Sequence, residues 1–192
     1  MGTRGLVGFY IKGKYKLSYN HHDSYIMGLG VEVAKAIHFI STQNRLKELE
    51  AKVEAIKMVN NEIPPSKALQ DEYRKFSDLG VGKRDVSDWY CLLRKVQGAD
   101  ILEAVLNKNL CHMLDGSGFA QESLFCEWGY IVNFDSGMLE IFNGFQKTPD
   151  LKGPFGVKQK NGYYPIKLIA AFRLNSVTAQ DLEALNEALS EE

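Results

Sequence analysis

The hydrophobic period of this 192-residue chain switches twice, from two to about four and back to two, and nothing else in the sequence constrains the fold as strongly. Leu6-Val7-Gly8-Phe9-Tyr10-Ile11 and Tyr15-Lys16-Leu17-Ser18-Tyr19 are β-branched and aromatic runs separated by Lys12-Gly13-Lys14. A glycine there can supply the positive φ that a tight hairpin turn needs. Tyr15, Leu17 and Tyr19 fall on one face of the second strand, with Lys16 and Ser18 on the other. The first strand is apolar on both faces, which suits an interior position in a sheet.

From Gly28 the spacing becomes helical. Leu29, Val33, Ile37 and Ile40 mark one helix, and Ser41-Thr42 is placed to cap a second bearing Leu46, Leu49, Val53 and Ile56. Ile63-Pro64-Pro65 stops it, and Ser66 opens a shorter helix with Leu69, Tyr73 and Phe76. Asp85 to Val96 reads as a fourth helix, ended by Gly98, and Asp100 to Asn109 as a fifth. β periodicity returns after Asp115-Gly116-Ser117-Gly118. Phe125 to Phe134 and Met138 to Phe142 flank the turn Asp135-Ser136-Gly137, and Tyr163 to Leu174 is a last strand, edge-like at Pro165. Thr178 and Asp181 approximate a capping box before Leu182, Leu185 and Leu189. The loop 144–162 is either a functional flap or an excursion.

This order predicts an α+β fold in a single domain over residues 1–192. Its sheet is mainly antiparallel, built from the N-terminal hairpin and the C-terminal strands, with a helical segment of about five helices, 42–110, inserted between the two β parts.

The formal net charge is −1, with both signs interspersed. Long nucleic acid and an anionic membrane surface are therefore not expected partners. Cys91, Cys111 and Cys126 contain no C-x-x-C pair, which points to a reducing, cytoplasmic setting. No secretory leader is expected, because no basic region precedes an apolar core, and no apolar run approaches the roughly 20 residues of a membrane span.

Hydrogen-bonding and titratable groups concentrate in Asn20-His21-His22-Asp23-Ser24-Tyr25. Neighbouring side chains at a strand end point apart, so His21 and His22 are not expected to act on one atom. Either imidazole is a candidate general acid or base, with Asp23 as its orienting partner or as a turn residue. Gly28 and Gly30 frame a helix start, where backbone N–H groups can hold an anion or where a bare turn lets the helix pack close. Arg4 is the nearest cation. Glu127, beside Cys126 in a later strand, is either exposed or a buried acid with a raised pKa. No Walker A loop, dinucleotide fingerprint or nucleophile elbow occurs, so no cofactor is expected. The histidines lack metal-ligand spacing, so no metal is expected either.

The opening Met1-Gly2-Thr3-Arg4-Gly5, then Tyr19-Asn20-His21 with Asp23-Ser24-Tyr25 and Gly28-Leu29-Gly30, resembles a family of phage, bacterial and fungal proteins with no assigned activity. Cys126-Glu127-Trp128-Gly129-Tyr130-Ile131-Val132-Asn133-Phe134-Asp135 and Leu139-Glu140-Ile141-Phe142-Asn143-Gly144-Phe145 resemble that family's second block. Relatives carry Pro after the Ser-Tyr pair, where this chain has Ile26. A fainter likeness to N-terminal-nucleophile hydrolases fails, because loss of Met1 would expose Gly2, which has no side-chain nucleophile.

These readings point to a small polar or anionic ligand, a nucleotide being one example, bound where the hairpin meets the first helix. An enzyme built this way would be a hydrolase or transferase. His21 or His22 would move the proton, Arg4 and the Gly28 and Gly30 amides would hold negative charge, and Asn20, Ser24, Tyr25 and Glu127 would contact the ligand. The alternatives are a non-catalytic, phage-type protein that sequesters a signalling nucleotide, and a protein-interaction module acting through the helical segment.

Overall fold

In the computed structural model, which describes residues 2–191, the first two apolar runs pair as antiparallel strands β1 (Gly5–Ile11) and β2 (Lys14–Asn20). Lys12 and Gly13 both take positive φ, 49° and 73°, the backbone of a I′ turn that matches strand twist. The Asp135 carboxylate accepts the amides of Lys12 (2.7 Å) and Gly13 (2.9 Å), tying this turn to the hairpin at the other end of the chain.

Between the β parts run α1 (Val31–Thr42), α2 (Leu46–Ala55), a short strand β3 (Lys57–Val59), α3 (Lys67–Tyr73), α4 (Trp89–Leu92) and α5 (Asp100–Asn107). They are followed by β4 (His112–Leu114), β5 (Trp128–Asn133), β6 (Met138–Asn143), β7 (Lys167–Arg173) and α6 (Ala179–Ser190). The main sheet has the order β2-β1-β5-β6-β7, and only the β1–β5 pairing in it is parallel. The fold is α+β, and β1 is interior, as its two apolar faces require.

Each face of the sheet has its own cover. Val7, Phe9, Tyr130, Val132, Leu139 and Ile141 pack against the helices in the larger core. Leu6, Leu17, Cys126, Ile131, Phe142 and Ile166 form a second cluster on the other face. Phe155, from the loop 144–162, closes that cluster with its ring 5.1 Å from Tyr15 and 5.5 Å from Phe142. That stretch of the loop is a strap over the sheet, because an apolar face left in water would forgo its burial energy.

Several local expectations change. α1 continues through Ser41 and Thr42, whose hydroxyl bonds back to the Phe39 carbonyl (2.9 Å), so neither residue caps α2. The stretch 85–96 yields only α4 and a 3₁₀ turn at Arg94–Val96. Asp85 accepts the Ser87 amide (2.8 Å) and Asp88 those of Lys83 (3.0 Å) and Tyr90 (3.2 Å). These side chains offer the backbone turn bonds that compete with helix. The Ser66 cap and the Thr178–Asp181 capping box form as expected. Lys16 on β2 is buried, and its ammonium donates to the carbonyls of Val53 (2.8 Å), Glu54 (2.8 Å) and Ile56 (2.7 Å), capping the C-terminus of α2. Among the described residues no helix is long and apolar enough to cross a membrane.

Candidate functional site

The chain leaves β2 at Asn20 and turns sharply, with Asp23 at φ 50°. Asn20 is buried and donates through Nδ2 to Ser24 Oγ (2.8 Å) and to the His22 carbonyl. Ser24 is fully buried; its amide donates to the Thr3 carbonyl (3.1 Å), and its carbonyl accepts from the Tyr130 hydroxyl (2.9 Å). The hydrogen bonds of Asn20 and Ser24 thus hold the turn together.

The glycines are also structural. The Tyr25 carbonyl accepts the amides of Gly28 (3.1 Å) and Gly30 (3.3 Å) within a single π turn, Ile26–Gly30. These amides are consumed inside the turn, so the expected anion cradle is not formed there. A Cβ on Gly30 would meet the Tyr130 ring at 2.8 Å, and one on Gly28 the Asp23 carbonyl at 2.5 Å. Close packing on the sheet requires glycine at position 30, and the tight turn against Asp23 and Tyr25 requires it at position 28. Tyr25 itself is exposed.

His21 and His22 come together, contrary to strand alternation, because β2 ends before them. Their rings lie 4.3 Å apart, edge to face. The Tyr19 hydroxyl and His21 Nδ1 are 2.7 Å apart. That bond serves either protonation state, since the hydroxyl can donate to a neutral ring or accept from an imidazolium. Asp23 is exposed, and among the described residues it makes no hydrogen bond or ion pair with either imidazole. Tyr19 takes the orienting place assigned to Asp23.

Further side chains complete the His21 neighbourhood. The Arg4 guanidinium lies 4.8 Å from the Phe125 ring centre, and that of Arg94 lies 5.6 Å from the Tyr90 ring. Tyr19 contacts Phe119 (5.1 Å between centroids) and Tyr90 (6.3 Å). Burial pushes the His21 pKa below its usual 6.5, and the positive charges of His22, Arg94 and Arg4 push it further the same way. Burial raises the Tyr19 pKa, and the Tyr90 phenol adds to this while Arg4 and Arg94 oppose it. Among the described residues neither Arg4 nor Arg94 is in an ion pair. The side chains around Tyr19 and His21 therefore form an aromatic-walled cluster whose cations lack counter-charges. Comparisons with protein-family models, curated proteins and solved structures find no match.

Glu127 borders this cluster through its backbone. Its amide donates to the Arg4 carbonyl (2.9 Å), and its carbonyl accepts from the Gly144 amide (2.8 Å), while its half-buried carboxylate forms no ion pair with Arg4. Cys126 is buried and its thiol pKa is pushed far up by burial, so it is not a nucleophile. His22 and Asp23 line an adjoining cleft of 540 Å³, with Glu32, Asp100 and Glu103 on its walls. Tyr90, Arg94, Phe119 and Phe125 are legible in the sequence only as residue types. Tyr90 and Arg94, four apart, are the nearest thing to a signal, and it is one shared by many exposed helix faces.

Proposed function

We propose that the protein binds a small anionic ligand with a ring, of the nucleotide class, at the Arg4–Tyr19–His21–Arg94 cluster. The carrying observation is that the guanidiniums of Arg4, over the Phe125 ring, and of Arg94, over the Tyr90 ring that adjoins Tyr19, have no carboxylate partner among the described residues. An anion relieves that uncompensated charge, and guanidiniums match phosphate oxygens in a fork geometry. Tyr90 and Phe119, both partly exposed beside Tyr19, are the aromatic rings a ligand's base would meet there. Among the described residues no carboxylate bonds to either imidazole, which favours binding, as in sequestration, over turnover. A hydrolase or transferase would use His21, held by Tyr19, as its acid or base.

Calorimetric titration with ADP and with pyrophosphate tests the reading. Arg94→Gln and Arg4→Gln should each weaken binding about tenfold to a hundredfold, the worth of one charged hydrogen bond. His21→Gln should weaken it only modestly, whereas an enzyme would lose orders of magnitude in rate. Wild-type affinity for both anions and unaltered affinity in both arginine variants would place the ligand elsewhere.

The pH dependence follows from the same geometry. Free His21 titrates below 6.5, and a bound anion raises its pKa, so binding takes up a proton. Affinity should strengthen as pH falls below the bound-state pKa, by at most about tenfold per unit per proton, and level off below the free-state pKa, which lies under 6.5. Pyrophosphate affinity that stays flat, after allowance for the ligand's own ionisation, would remove His21 from the site.

A further inference from the structure

Beside the cation cluster, α1 and α5 wall a trough. Its apolar half is a cavity of 420 Å³ with Ala36, Phe39, Ile40 and Leu106 in its lining. Its polar half is the 540 Å³ cleft that begins at His22 and Asp23. The two halves share Lys35, Ala36 and Glu103 and so are continuous. On α1 the lining residues Glu32, Lys35, Ala36, Phe39, Ile40 and Gln43 recur every three or four positions, which places them on one face. From Glu32 to Gln43 that face is about 17 Å long at 1.5 Å per residue, the length of a three-turn helix.

Two properties select what fits. Phe39 is 64% exposed on the trough wall, an aromatic side chain that the fold itself does not cover. At the polar end Asp23, Glu32 and Asp100 are exposed, and none of the three is in an ion pair among the described residues. Glu103 pairs with Lys108 at 3.2 Å, and Lys35 and His22 are the basic side chains in the cleft lining. The trough is therefore apolar at one end and carries uncompensated negative charge at the other.

We infer that the trough docks a basic amphipathic helix of a partner protein, its apolar stripe over Phe39 and Ile40 and its lysines or arginines against Asp23, Glu32 and Asp100. A helix laid between two helical ridges anchors through residues at i, i+3, i+4 and i+7. Opposite charge at one end sets its direction and speeds its encounter. The inference rests on the trough's own lining and not on the anion reading, although the two regions adjoin where the His22 ring meets that of His21 and where Arg94 bonds to Gln97.

Fluorescence anisotropy with a labelled synthetic helix tests the inference. The probe has about 14 residues, enough to populate a helix, with leucines on one face and lysines grouped at one end. Its counterpart carries glutamates in place of the lysines. Full-length wild type should bind the lysine peptide and reject the glutamate one, with affinity falling as salt rises. Phe39→Ala removes an exposed side chain and should weaken binding about tenfold, as loss of an aromatic anchor does. Glu32→Lys/Asp100→Lys should weaken the lysine peptide about tenfold and admit the glutamate peptide, because reversed charge reverses the preference. Lys152→Gln, on the exposed loop 144–162 and outside the trough lining, should leave both affinities unchanged. Equal binding of the two peptides, no binding of either, or variants that bind like wild type would each overturn the inference.

Discussion

Replacing Gly5 with alanine should destabilise the protein by about 3 kcal/mol or more, at the upper end of what overpacking costs. Gly5 lies on the interior strand, paired with Asn20 on β2 and Trp128 on β5. An added Cβ would stand 2.3 Å from the Trp128 carbonyl oxygen, 2.8 Å from Ser24 Cβ and 3.0 Å from Ser24 Oγ. Neither side can yield cheaply. The carbonyl belongs to the strand that pairs with β1, and Ser24 is held by Asn20, Thr3 and Tyr130. The substitution must therefore open the β1–β5 pairing or displace the turn that carries His21. Gly118→Ala is the matched control, since its Cβ would meet nothing within 4 Å; it should be neutral or stabilise by up to about 1 kcal/mol through the unfolded state. Urea unfolding midpoints of the two variants decide the matter. A Gly5→Ala protein as stable as Gly118→Ala would contradict the close approach.

Lys16→Met should destabilise the protein by about 3 kcal/mol, because it keeps the aliphatic stem and removes a buried charge with its partners. The ammonium donates to three carbonyls, those of Val53, Glu54 and Ile56, at 2.7 to 2.8 Å. These are acceptors at the C-terminus of α2, where the helix has no donors left and its dipole favours a cation. Burial lowers the Lys16 pKa, the cost of taking an ammonium out of water that the three carbonyls offset. Lys14→Met, on the same strand but exposed, should change stability by no more than about 0.5 kcal/mol. Hydrogen exchange adds a local readout, since loss of the cap should raise exchange in the last turn of α2 before the sheet responds. Equal effects of the two lysine substitutions would show that the cap contributes nothing.

The candidate site was legible only where its chemistry is contiguous. Asn20 to Tyr25 stands out as a polar run, and it does form the rim of both the cation cluster and the trough. What each residue does there was not legible. Asn20 and Ser24 turn inward and bond each other, Gly28 and Gly30 use their amides within one turn, and Tyr19, placed from the sequence only on the strand face of Tyr15 and Leu17, holds His21. Arg94 reaches the site from a segment about 70 residues away along the chain, and a separation of that kind leaves no periodic trace.

The sequence by itself determined the broad order of hairpin, helices, hairpin, strand and helix, without the short strands β3 and β4, together with the interior place of β1, the two hairpin turns and the final capping box. Each of these depends on residues a few positions apart: period two against period near four, positive φ at glycine, an acid three residues beyond a threonine. Tertiary structure alone decided the rest. It placed an ammonium on β2 under the end of α2, laid part of the 144–162 loop across the second face of the sheet, gathered the cations around His21, and left Phe39 uncovered beside unneutralised acids. The physical reason is that charge, burial and carbonyl capping are settled by distance in space. Segments far apart in the chain meet only after the sheet has closed across the helices between its two halves.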